Sequence, residues 1–235
     1  MRGLEEIVKD IAKIYRKSGK EAEEYLLKAR KLKERFGSGL AIVYCWFYSV
    51  PQKWTQVEPK IFELMEHTNS FNLDLILAMP AEKIASILRP MIFYNEISLQ
   101  FKNLCKAIRN EYSSWNAFAY ALDKESIFAI FDKLRKNRGI RLTFKNLAAM
   151  KIFVGKEDNL LILDTHVAKI LGINKREQKE YRTQNKSFKS LLDFSERVTQ
   201  RLAKHGLKIT MAEWSLAIWF HRAKIPANKL LYTLN

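Results

Sequence analysis

The sequence contains few of the residues that end regular secondary structure, with eight glycines and five prolines in 235 residues. Strand-like alternation of polar and apolar residues is also rare. A chain so poor in turn-forming residues and so rich in Lys, Leu, Ala, Ile and Glu is predicted to fold as helices joined by short loops. We therefore predict an all-α fold.

Cysteine is almost absent, and Cys45 and Cys105 have neither the number nor the spacing for a zinc site, an iron–sulfur cluster or a disulfide framework. We expect two buried thiols in a reducing compartment. His67, His205 and His221 show no metal-ligand spacing among themselves. The sequence therefore predicts no metal, no metal cluster and no other cofactor.

No long apolar run is present. The longest, around residues 39–50, is too short to span a bilayer, and the first fifteen residues carry acidic side chains where a signal peptide has an apolar core. We expect a soluble intracellular protein of the cytoplasm or nucleoid, with no signal peptide and no membrane partner.

Acidic residues are outnumbered by basic ones, 25 against 41, which gives a formal net charge of +16. No single tail holds the excess, which recurs at 28–35, 133–138 and 175–189. A single charged run is most often a solvated helix face, but the net charge indicates binding to a polyanion. The segment 175–186 is polar enough to predict a mobile loop.

Apolar spacing predicts an opening helix over 4–15 and another over 20–36, separated by a break in "KSGK" at 17–20. "GSG" at 37–39 predicts a domain boundary, and the apolar run 40–50 predicts a helix that is buried on most sides. Further helices are predicted over 57–67, 80–88, 93–110, 114–121, 124–136, 144–154, 165–172, 187–205 and 210–223, with a short one after Pro226.

Asp164 is the first candidate for chemistry, because it ends the apolar run 160–163 and begins a helix. One interpretation is a plain N-cap, whose carboxylate accepts hydrogen bonds from the first turn. The same geometry would keep the carboxylate ionised, and an ionised carboxylate stabilises an oxocarbenium-like transition state. Lys145 lies nineteen positions earlier, near the start of another helix, where the helix dipole disfavours the ammonium form and favours a nucleophilic amine.

At these residues the chain resembles the superfamily of helix-hairpin-helix DNA glycosylases, which includes the endonuclease III and 8-oxoguanine glycosylase families. There a hairpin of helices carries a nucleophilic lysine, and an aspartate follows in a "DTHV"-like segment; Lys145 and 164–167 match this order. The segments 48–64, 78–108 and 209–225 are similar to other parts of the family, and the last resembles the small type 2 8-oxoguanine glycosylases. The hairpin departs from the pattern, because Arg141 and Thr143 replace its two glycines.

The resemblance implies two helical lobes with a helix-hairpin-helix element and an active-site cleft between them. Residues 38–160 would form the central bundle, and 1–37 with 161–235 the second lobe. Lys145 and Asp164 would be catalytic, and the residues implied to contact DNA are Trp219 stacking on the base, Gln52 and Asn95 in the gap it leaves, and Arg141 at a phosphate. His166 is a further candidate for DNA binding, which could donate to a phosphate or to the Asp164 loop, or could be a first-turn histidine with a local hydrogen bond. The implied partner is double-stranded DNA with a damaged base, bound by a monomer.

The implied function is base excision repair by a glycosylase with AP lyase activity, acting on 8-oxoguanine through a lysine Schiff base. Three alternatives stay open: a monofunctional glycosylase for uracil, hypoxanthine or mismatched thymine, a non-catalytic DNA-binding module, and a basic helical scaffold for RNA or protein partners.

Overall fold

A computed structural model describes residues 3–47, 53–155, 157–224 and 230. Every regular element in these ranges is a helix, which confirms the all-α prediction. None of these helices has the length and apolarity that crossing a membrane requires. The helices are α1 (Leu4–Trp46), α2 (Trp54–His67), α3 (Leu73–Ala78), α4 (Ala81–Leu88), α5 (Tyr94–Tyr112), α6 (Trp115–Lys124), α7 (Ile127–Arg135), α8 (Phe144–Phe153), α9 (Thr165–Ile170), α10 (Lys175–Thr183), α11 (Asn185–Lys204) and α12 (Met211–Ala223).

The predicted break at 17–20 is wrong, because α1 continues through it. A Cβ atom on Gly19 would lie 2.7 Å from a ring carbon of Tyr15, one helical turn earlier. The glycine therefore lets the Tyr15 ring lie against the helix backbone, and the Tyr15 hydroxyl donates to Glu23 one turn further on. Gly19 therefore allows close packing of the Tyr15 ring, although glycine destabilises a helix by about 1 kcal/mol relative to alanine.

The "GSG" segment does interrupt α1. Gly37 has φ 84° and ψ 171°, which is not helical and which residues with a Cβ rarely adopt. After it, residues 40–47 are all buried, as the apolar run predicts. Residues 48–50 of that run lie outside the described residues.

The other predicted helices are confirmed, each beginning and ending within three residues of its prediction. Two helices are missing from the prediction. One is the short α3, and the other is α10, which replaces the mobile loop expected over 175–186. The α10 helix starts in a capping box, in which Asn174 and Glu177 satisfy each other's backbone N–H groups. The helix predicted after Pro226 falls outside the described residues.

The chain divides into two compact units. The central unit is Ala29–Lys156, and the terminal unit contains the described residues up to Lys28 and from Glu157 onwards. In the central unit α5 packs against α3, α4, α6 and α7, and α8 packs against α6 and α7. In the terminal unit α12 packs against α9 and α11. The predicted domain limits and the predicted cleft stay predictions.

Candidate nucleic-acid site

The helices α7 and α8 of the central unit form a hairpin. They pack against each other and are joined by residues 136–143. Gly139 in this turn has φ 79°, and its carbonyl accepts a hydrogen bond from Asn103 Nδ2 at 3.1 Å. A Cβ at this position would lie 2.5 Å from the same nitrogen, so the close contact requires glycine. The turn is thereby fixed against α5.

Helix α8 is enclosed on nearly all sides. Nine of its ten residues are buried, and Lys145 is the exception. The helix begins in a capping box, in which Thr143 and Asn146 satisfy each other's backbone N–H groups. Asn146 is 0% exposed and its Nδ2 donates to the carbonyl of Trp46 at 2.7 Å. The start of α8 is therefore held both locally and by a buried bond across the unit.

Lys145 is the second residue of α8 and is half-buried. A cation in the first turn opposes the helix dipole, because the N-terminal end carries partial positive charge. The helix dipole therefore does not favour the charge of Lys145 at this position.

The hairpin turn carries exposed cations at Lys136, Arg138 and Arg141. Arg141 was expected at a phosphate, and the other two belong to the basic run 133–138 that the sequence shows. This turn therefore offers side-chain positive charge at the surface. Such charge suits the DNA backbone, which is bound mainly by Lys and Arg.

Asp164 lies in the terminal unit, directly after the buried run 160–163, and is itself 7% exposed. Its Oδ1 accepts from the backbone N–H of Val167 at 2.7 Å, so it is the N-cap of α9. The Arg182 guanidinium donates to the Leu163 carbonyl at 3.1 and 3.2 Å, which fixes the chain next to the aspartate. A surface N-cap is solvated, whereas this carboxylate is nearly enclosed and held in one place.

Trp219 and His166, two predicted DNA contacts, also lie in the terminal unit, on α12 and α9, which pack against each other. Both are half-buried. The Trp219 ring makes an edge-to-face contact with Phe220 at 4.9 Å between centroids, and a tilted one with Tyr25 at 6.5 Å. By contrast Trp214 is 0% exposed and donates to Thr199, so it is a core residue. Trp219 alone of these two tryptophans presents part of its ring to the surface.

Asn95 is exposed in the first turn of α5, in the central unit, and Gln52 lies outside the described residues. Sequence reasoning missed the two residues that precede α5. Ile92 is 50% exposed and Phe93 is 60% exposed, with Phe93 in the left-handed region at φ 60°. The signal was present in part, since Met91 and Ile92 stand where a glycine is commoner in the helix-hairpin-helix glycosylases that this segment resembles. Exposed apolar side chains on a turn are the kind that enter a base stack.

The structure therefore places the candidate residues in two groups. Lys145, Arg141 and Asn95 belong to the central unit, and the terminal unit holds Asp164, His166 and Trp219. Within the described residues, no three His, Cys, Asp or Glu side chains are arranged to hold a metal ion.

Comparison with known proteins adds little. No protein-family model matches the sequence, and no curated protein does. A similar solved structure is that of the H. pylori 3-methyladenine DNA glycosylase MagIII bound to 1,N6-ethenoadenine. It is 17% identical, the match covers 87% of this chain and 96% of that chain, and the TM-score is 0.44. A likeness of this size carries no argument about function.

Proposed function

We propose that this protein is a DNA glycosylase with AP lyase activity, which removes a damaged base, 8-oxoguanine in the first place, in base excision repair. One observation carries the proposal most. Lys145 is the exception on a helix that is otherwise buried, at a position where its charge does not favour the helix. The nearly enclosed Asp164 then follows nineteen positions later, in the order that the family resemblance requires.

The polyanion in this proposal is duplex DNA. The net charge of +16 and the exposed cations of the hairpin turn support backbone binding. A base inside a duplex is out of reach, so the nucleotide must leave the stack. The half-exposed Trp219 ring would stack on the everted base, and Asn95 with Ile92 and Phe93 would occupy the gap.

In the first chemical step the neutral Nζ of Lys145 forms a bond to the sugar C1′. The bond from C1′ to the base nitrogen breaks, and the base leaves with the electron pair and takes up a proton. The ionised carboxylate of Asp164 stabilises the positive charge that develops on the sugar. This assignment requires Lys145 and Asp164 to act on one nucleotide.

In the second step the amine loses a proton and the C1′–O4′ bond opens, with a proton taken by O4′, so that a Schiff base forms between lysine and sugar. Removal of a proton from C2′ then expels the 3′ phosphate and breaks the strand. The product is a strand nicked on the 3′ side of the lesion, which is the AP lyase outcome.

The test is borohydride trapping on a set of end-labelled duplexes. One duplex carries 8-oxoguanine opposite cytosine, and the others carry uracil, hypoxanthine or a mismatched thymine. Reduction of the Schiff base should give a covalent protein–DNA band with one of these lesions. Lys145→Gln should abolish the band. Lys106→Gln, which removes an exposed lysine of α5 in the same unit, should leave it unchanged.

Asp164→Asn is the matched variant for the second residue. Asparagine keeps an oxygen that accepts from Val167 N–H, so α9 keeps its cap while the negative charge is lost. Base release should fall by about 100-fold or more, since a group that stabilises transition-state charge is worth that much. Affinity for undamaged duplex should not fall, because no positive charge is removed.

The same duplexes, together with binding measurements on undamaged duplex and structured RNA, separate the alternatives. Alkali-sensitive abasic sites without a covalent band would replace the lyase by a monofunctional glycosylase in which Asp164 activates water. Tight duplex binding without either signal on any lesion would indicate a non-catalytic DNA-binding module. Stronger binding to structured RNA than to duplex DNA would indicate an RNA scaffold.

A further inference from the structure

A small basic pocket lies in the terminal unit, and none of the predicted catalytic or DNA-contacting residues lines it. Its volume is about 160 Å³. Helix α1 and the last turn of α12 supply its polar side chains, and apolar residues of α1 and α9 complete it. The basic pocket is lined by Lys13, Lys17, His221 and Arg222, with Asp10, Ile14 and Ile170.

The charge around this pocket is strongly unbalanced. Three permanent cations and a histidine face one acidic residue, Asp10. Lys13, Lys17 and Arg222 are exposed, and no salt bridge found among the described residues includes any of them. The pKa of His221 is held below its usual value by partial burial and then by the positive charges of Arg222, Lys17 and Lys224. The pocket is therefore a centre of positive potential.

An ordinary solvated helix face explains this arrangement poorly. Lys13 and Lys17 are four residues apart, so they project from the same side of α1, where like charges repel each other. His221 and Arg222 lie near the C-terminus of α12, where the helix dipole accounts for cations. The dipole does not account for two lysines inside α1 that converge on the same cavity.

We propose that the basic pocket binds a phosphate group of the DNA backbone. The cavity holds about five waters at ~30 Å³ each, which suits a phosphate group with its remaining hydration. Two lysines and one arginine offer charge-assisted hydrogen bonds to its oxygens. The identification of the phosphate as part of DNA rests on the proposed function, whereas the anion site follows from the pocket itself.

The first measurement uses inorganic phosphate and the histidine as a reporter. A pH titration followed by NMR gives the pH at which the His221 ring is half protonated. This midpoint should rise when phosphate is added, because the anion offsets the positive charge of the neighbouring cations. Sodium chloride at equal ionic strength should raise it less. The double variant Lys13→Gln, Lys17→Gln should lose the response to phosphate, although its starting midpoint is higher because a cation has been removed.

The second measurement uses an undamaged duplex, so that no chemistry is involved. The slope of log K against log salt should become shallower by about 0.9 in Lys17→Gln if one phosphate contact is lost. Lys20→Gln is the matched control, because Lys20 is exposed on the same helix and does not line the pocket. Its slope should stay that of the wild type.

Each outcome decides the proposal. Loss of both the phosphate response and part of the salt slope supports it. Equal salt slopes in Lys17→Gln and Lys20→Gln overturn the proposal that the pocket contacts DNA. If the wild-type protein still shows the phosphate response at His221 in that case, the pocket is a site for free phosphate. Neither readout depends on Lys145 or Asp164. A failure of borohydride trapping would therefore refute the proposed glycosylase with lyase activity without affecting the proposal that the pocket binds an anion.

Discussion

Replacing Asn146 with alanine tests how firmly the start of α8, and with it Lys145, is held. The amide of Asn146 makes two kinds of contact. Its Nδ2 donates to the buried carbonyl of Trp46 at 2.7 Å, and its Oδ1 accepts from the backbone N–H and the hydroxyl of Thr143. Alanine removes both contacts of a side chain that is 0% exposed.

The expected cost combines these two losses. A buried carbonyl left without its partner costs about 1–3 kcal/mol. Loss of the reciprocal cap costs about 1 kcal/mol more. Asn146→Ala should therefore lower the free energy of unfolding of the central unit by about 2–4 kcal/mol. Thr143→Ala should lower it by about 1 kcal/mol, because it removes the cap and keeps the bond to Trp46.

The assay is urea denaturation monitored by the hydrogen exchange of the α8 amides. This readout reports on the central unit separately from the rest of the chain. The difference between the two variants measures the bond from Asn146 to Trp46. If Asn146→Ala and Thr143→Ala are equally destabilised, this buried bond contributes nothing and the reasoning is refuted. If trapping on a lesion then falls in Asn146→Ala while the variant remains folded, Asn146 is a positioning residue for the lysine.

Two further predictions concern other parts of the molecule. Gly155→Ala should cost about 1–3 kcal/mol by overpacking, because its Cβ would lie 2.8 Å from the Leu122 carbonyl oxygen and 2.9 Å from that of Lys151; Gly3→Ala, with nothing within 4 Å, should be neutral in the same denaturation experiment. The hydrogen bond from Arg201, with its charge and that of His205, holds the pKa of Glu5 below its usual value. Glu5→Gln should thus be less stable than the wild type at pH 7, and this deficit should vanish as the pH falls through the pKa of the folded state; an equal deficit at pH 7 and pH 3 would contradict the pairing.

The sequence predicted the helices well wherever an apolar face was present to mark them. It failed where the determining contact was not periodic. At Gly19 a helix break was predicted, but the glycine is there because the Tyr15 ring packs where a Cβ would clash. At α10 the polar composition led to the prediction of a loop. The sequence signal for a helix start was the capping box of Asn174 and Glu177, which lie three residues apart.

The candidate site was predicted only in part. Spacing and chemical type single out Lys145 and Asp164 as candidates, and the two helix starts on which they depend are confirmed, while their roles stay predictions. Burial was not readable in this way. That Trp214 is enclosed and Trp219 is not depends on which neighbours cover each side of α12, and the exposure of Phe93 depends on a turn of the backbone. The basic pocket joins residues about 200 positions apart in sequence, so no local pattern could indicate it.

The near-complete enclosure of α8 has an evolutionary consequence. Substitution at almost any of its positions disturbs the core, so most of the helix is closed to change. Position 145 is the exception, and a different side chain there leaves the nine buried residues of the helix unchanged. If Lys145 is the nucleophile that we propose, a single codon change would exchange it for a residue that only binds, while the buried face of the helix is kept. A saturation library at position 145, sorted first for folding and then for base release, would measure how widely that freedom extends.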